Sequence, residues 1–169
     1  FSKSQKRDIE KIKNTLQDLF KKQKNYLGDI NFPKKYTIIL YETPSNFHQD
    51  LGALEHYSGT QGIFSEKMKD EYLSRRIKDV MSHEFLHLLT PLQLHSEYVH
   101  NFQYNNPKDM SQHLWLYEGV TEYFSDLCQV HKKIISEDNI YSSLKRKYYD
   151  SKSYKDTNPL TVKSKKVLQ

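Results

Sequence analysis

Two histidines four residues apart, His83 and His87, constrain this chain more than any other feature. Glu84 follows the first of them directly, and helical periodicity surrounds both. On a helix, residues i and i+4 project from nearly the same face, about one turn apart. Two imidazoles at that spacing can grip one ion, and a carboxylate on the next residue sits beside whatever else the ion binds. A fold built around this pattern must bury most of one helix and bring a further ligand from elsewhere in the chain. Residues 66 to 90 provide such a helix, with Leu73, Ile77, Val80, Met81, Leu88 and Leu89 apolar. Pro91 is expected to end it, because its ring cannot continue the hydrogen-bond ladder.

Zinc suits these donors. It takes neutral histidine nitrogens, commonly has four ligands, and in catalytic sites leaves one position to water. A glutamate beside the first histidine is placed to take that water's proton. One class of zinc site adds a third histidine six residues after the second, with a glycine midway. Those positions hold Gln93 and Thr90, which excludes the class. The remaining route is a carboxylate from another helix, and Glu118 in "WLYEGVTEYF" has that context. It lies on an amphipathic helix expected from Ser111 to Lys133, and Gly119 beside it is expected to allow close helix approach. Glu122 is one turn further on the same face. It reads either as the carboxylate that receives the outer N–H of a metal-bound histidine or as an ordinary solvated residue. The expected set is therefore His83, His87 and Glu118 as ligands of one zinc ion, with Glu84 as general base.

The remaining segments imply an α+β fold. Ile9, Ile12, Leu16, Leu19 and Phe20 recur at helical spacing within residues 4 to 26, and Gly28 is a plausible stop. "KYTIILYE" (35 to 42) reads as a strand, and residues 52 to 65 as one short irregular or edge strand. Residues 92 to 110 read as loop, and the tyrosine-rich tail from 134 as partly helical. Hydrophobic residues are only 36% of the chain, so its 13 Tyr and 8 Phe must supply much of the burial. The net charge of +5 comes from basic residues interleaved with acidic ones rather than from a stripe, which argues against a nucleic-acid partner. The single cysteine, Cys128, excludes an internal disulfide. No apolar run reaches the roughly 18 residues of a membrane span.

"SHEFLH" followed at this distance by "LWLYEGVTEYF" resembles the glycyl aminopeptidase family of zinc metallopeptidases, gluzincins related to the aminopeptidase N type. A third segment agrees. "GALEH" (52 to 56) resembles the "GGLEH" of that family and the "GAMEN" of aminopeptidase N relatives, and the three motifs stand in the family's order. The resemblance implies a thermolysin-like zincin catalytic domain: a small mixed sheet with an edge strand, the helix of the two histidines and a third-ligand helix. It implies that residues 1–169 are one partial catalytic domain of a larger chain, without the family's N-terminal β domain and C-terminal helical and PDZ parts. It also implies hydrolysis of the N-terminal peptide bond of a peptide or protein, with preference for Gly or Ala. Glu55 would then bind the substrate α-amine, and Gly52 and Ala53 would line the extended peptide backbone. Relatives stabilise the oxyanion with a tyrosine near a Lys-Gly pair downstream of the third ligand. No such pair follows Glu118, and Tyr141, Tyr148 and Tyr149 come too early, so this element is expected beyond the chain. Two other readings remain open: a zinc-stabilised module that holds peptide N-termini without turnover, and an endopeptidase. The compartment is open too, with a bacterial cell envelope, periplasm or cytoplasm all compatible.

Overall fold

A computed structural model describes residues 7–44, 52–101, 111–155 and 157–166. The chain divides into two compact units, Phe1–Leu88 and Leu89–Gln169.

The first unit is α+β. Helix α1 (Ile9–Leu27) begins where the Asp8 side chain accepts the Lys11 amide, and ends at Gly28, whose φ of 75° closes the helix with a bond back to Lys24. Strands β1 (Thr37–Thr43), β2 (Gly52–His56) and β3 (Gly59–Ser65) form a sheet in the order β1-β3-β2. β1 runs parallel to β3, with Tyr41 opposite Ile63, and β2 runs antiparallel to it, with Glu55 opposite Thr60. The mixed sheet with an edge strand is thus present, but residues 52 to 65 are two strands rather than one. Tyr57 and Ser58 turn the chain between them, and the second strand takes the centre of the sheet. Gly59 makes this possible. A Cβ there would stand 2.3 Å from the Thr37 carbonyl oxygen of β1, a backbone atom that cannot yield.

Helix α2 (Asp70–Leu86) lies against β2 and β3, and α1 packs on α2. Leu73, Ile77, Met81 and Phe85 give α2 a buried stripe of four-residue spacing, met by Leu16 and Leu19 of α1 and Phe64 of β3. Aromatic packing supplies the volume that a lean aliphatic content leaves open. Phe85 stacks between Phe20 (centroids 4.5 Å apart) and Phe32 (5.6 Å). Buried Gln23 of α1 donates through Nε2 to both the carbonyl and the hydroxyl of Ser82, at 2.9 Å each. Arg7 ties the chain start to the sheet and to α2, pairing with Glu42 at 2.9 Å and with Asp70, and donating to the Glu66 carbonyl at 2.8 Å.

The limits of α2 differ from the sequence expectation at both ends. It starts at Asp70, not near Glu66: the Glu66 amide still extends the sheet pairing to the Thr43 carbonyl, and the Met68 amide turns back to the Ser65 carbonyl before the helix begins. It ends at Leu86, before Pro91 acts. The amides of His87 and Leu88 both turn back to the Phe85 carbonyl, so the ladder tightens and stops.

The second unit is helical: α3 (Glu97–His100), α4 (Leu114–His131), α5 (Glu137–Ser153) and α6 (Leu160–Lys165). α4 starts three residues after the expected Ser111, whose hydroxyl instead accepts the His113 amide. Its buried face carries Tyr117, Thr121, Ser125 and Gln129. The Tyr117 hydroxyl accepts the Ser96 amide at 2.7 Å, while Trp115, two residues earlier, is 41% exposed. α4 closes with a Schellman arrangement: Lys133 donates to Val130 and Ile134 to Gln129. Lys133 occupies the left-handed position at φ 54°, where glycine is usual. On α5, Lys147 reaches α4 and bridges Glu122 and Asp126. The "NNPKD" turn expected in the loop lies outside the described residues.

Two stability changes are expected, both read from chemical denaturation. Gly59→Ala should destabilise the chain by about 1–3 kcal/mol through overpacking against β1; an unchanged midpoint would mean the sheet is looser than described. Lys133→Gly should stabilise by about 1 kcal/mol through relief of the left-handed strain; a loss would show that the lysine side chain is needed there.

Candidate metal and catalytic site

Four of the expected site residues meet in the first unit. His83 lies in the last turn of α2, and His87 caps it with its backbone still helical (φ −61°, ψ −13°). The one-turn relation of the two imidazoles therefore survives the early end of the helix. Their rings stand edge to face with centroids 4.7 Å apart. His87 is buried and His83 half-buried, so the pair runs from the interior toward solvent.

Glu84 is 7% exposed, although it follows the half-buried His83 directly. A carboxylate with so little access to water must be held by its surroundings. Glu55 arrives from β2. Alternation along that strand turns Ala53 and Glu55 toward α2 and leaves Gly52, Leu54 and His56 exposed. The donor atoms of Glu55, Glu84 and His87 all lie within 4.8 Å of one another. The structure thus brings the expected amine-binding residue to the expected base. Among the described residues, a Cβ added at Gly52 would meet nothing within 4 Å.

In the second unit, Glu118 is an exposed carboxylate on α4, one residue after buried Tyr117. Among the described residues, a Cβ at Gly119 would meet nothing within 4 Å. Glu122, one turn on, is half-buried and accepts from Lys147. Burial opposes the charge on Lys147, but the hydrogen bond and the charge of Glu122, with Asp126 beside it, outweigh that and hold its pKa above the usual lysine value. Glu122 is therefore part of an ion-paired network in its own unit, beyond either role read from the sequence.

Other chemistries find less support. Burial pushes the Cys128 thiol up to about 11, which leaves almost no thiolate for nucleophilic attack. His95, His100, His113 and His131 are exposed, and His48 lies outside the described residues. Tyr141, Tyr148 and Tyr149 are exposed along α5. Sequence reasoning missed Tyr36 and Gln23, both of which contact the last turns of α2. Tyr36 falls within the expected strand as one aromatic among others and Gln23 within the expected first helix, and no spacing marks either one.

Among curated proteins no sequence matches the chain. A solved structure of an aminopeptidase N family protein from Idiomarina loihiensis is similar to it, with a TM-score of 0.63 and 24% identity over 80% of this chain. The similarity supports the fold, and this chain spans 23% of that protein's length. The profile of the M61 glycyl aminopeptidases matches residues 76–165, just over half of the chain and the part that holds both histidines, Glu84 and Glu118. This chain belongs to the M61 glycyl aminopeptidase family, a family of metallopeptidases.

Proposed function

We propose that this chain carries the hydrolytic site of a zinc-dependent aminopeptidase acting on the N-terminal bond of peptides, with small first residues such as Gly or Ala preferred. The observation that carries the reading is the convergence of Glu55, Glu84 and His87 within 4.8 Å, with His83 alongside. Exopeptidase chemistry needs a carboxylate for the substrate α-ammonium and a base for water, both close to the electrophilic centre. Two carboxylates beside two imidazoles meet that demand.

On this reading one zinc ion per chain is held by His83, His87 and Glu118. The donor set fits, since neutral imidazole and carboxylate are zinc's usual ligands. Zinc bound there supplies a Lewis acid that polarises the scissile carbonyl. Glu55 pairs with the substrate ammonium and fixes the distance from the N-terminus to the reacting carbon. Gly52 and the backbone at Ala53 are proposed to line an extended peptide along the edge of β2. Glu84 takes the proton of the attacking water as the C–O bond forms and returns it to the leaving amine as the C–N bond breaks. Glu122 is proposed to support a ligating histidine from behind, with Lys147 neutralising its charge. Residues 1–169 are read as one partial catalytic domain.

The test combines metal analysis with turnover. Wild type should hold one zinc per chain, Glu118→Ala should lose it, and Glu84→Gln should keep it while kcat falls by about 10²–10⁴. Glu55→Ala should depress cleavage of alanyl and glycyl substrates far more than of their N-acetylated forms. Equal losses on both would indicate an endopeptidase, and zinc uptake without any turnover would indicate a peptide-holding module.

A further inference from the structure

Tyr36 stands immediately before β1, and nothing in the motif pattern involves it. Its ring meets the edge of Phe85 at 5.2 Å and 77°, and that of Phe20 at 5.5 Å and 75°. Held by both, it directs its hydroxyl to the Glu84 carbonyl at 3.4 Å. The location is specific. The last four carbonyls of a helix lose their regular partners, and at the end of α2 the amides of His87 and Leu88 both go to Phe85. Tyr36 supplies a donor to the carbonyl one residue earlier.

We infer that Tyr36 is a positioning residue for the site: through the Glu84 carbonyl, its hydroxyl sets the orientation of the Glu84 carboxylate and of the His87 imidazole one turn-end later. The inference rests on the hydrolase reading above. A 3.4 Å hydrogen bond is long and adds little to stability. Its effect is geometric, because rotation of the peptide after Glu84 swings both functional side chains. The phenol is also a donor that does not switch off. Burial, and then the charges of Glu84 and Glu55, raise its pKa well above the usual tyrosine value, so its proton stays on throughout any working range.

The test compares wild type, Tyr36→Phe and Phe32→Leu in the full chain. Tyr36→Phe keeps the ring and removes only the hydroxyl. It should lower kcat on an alanyl anilide and weaken zinc retention against a chelator by about tenfold each, the scale typical of outer partners of metal ligands. KM should stay within twofold and the melting temperature should change little. Phe32→Leu loosens the same aromatic stack without touching the hydroxyl, so it should lower the melting temperature and leave kcat in place. Wild-type kcat and zinc retention in Tyr36→Phe would overturn the inference, as would a loss of kcat in Phe32→Leu that matches its loss of stability. A wild-type chain that neither retains zinc nor cleaves would sink the hydrolase reading itself, and the role of Tyr36 with it. An active wild type with an equally active Tyr36→Phe would overturn this inference alone.

Discussion

The end of α2 is the constraint on which the first unit depends. The helix stops there, and its final turn with its cap carries His83, Glu84 and His87, of which Glu84 and His87 are buried. It cannot fray, because a floppy terminus would lose the relation between the two imidazoles. Helix ends are weak by nature, with carbonyls left unbonded and no further turn to hold them. Here the neighbours do the holding. Gln23 grips the backbone at Ser82 and Tyr36 takes the Glu84 carbonyl, while the rings of Phe20 and Phe32 stack on Phe85 and add stability to the core beneath. Each contact falls within one turn of the residues proposed to do the chemistry, and each comes from an element far away in sequence.

The second demand is electrostatic. Glu55 and Glu84 approach within a few ångströms beside His87, and like charges at that distance repel. A positive partner from outside relieves the repulsion, whether a metal ion or the ammonium of a peptide. On the proposed reading, the affinity of the site for both cations follows from this arrangement. The sheet makes the approach possible. β3 can sit between β1 and β2 because Gly59 lets its start touch Thr37, and that registers Glu55 opposite Thr60 over α2.

Much of this was legible in the sequence. Local spacing places His83, Glu84 and His87 on one helix, and alternation in "GALEH" turns Glu55 to one face. Both are properties of a single element, and periodicity reads single elements well. The misreadings turn on where backbone hydrogen bonds go: the Glu66 amide still pairs with the end of β1 before α2 begins, and α2 ends early because the amides of His87 and Leu88 converge on Phe85. Residues 52 to 65 become a hairpin because Gly59 meets a strand that precedes it in sequence. Gln23 and Tyr36 carry no motif, and their roles exist only once α1, β1 and the end of α2 are in contact.

The placement of Glu55 has one more consequence. Among the described residues β2 pairs only with β3, which makes it an edge strand of the sheet. Such an edge invites any extended chain, including another copy of the same protein, and aggregation is the usual hazard. This strand is five residues long and carries an inward-turned charge, two of the devices by which natural sheets discourage permanent edge-to-edge pairing. A second β2 strand arriving in antiparallel fashion would bring its own glutamate toward the first, with no ammonium to answer it. One carboxylate thus acts as a gatekeeper of solubility as well as a candidate contact for a peptide N-terminus.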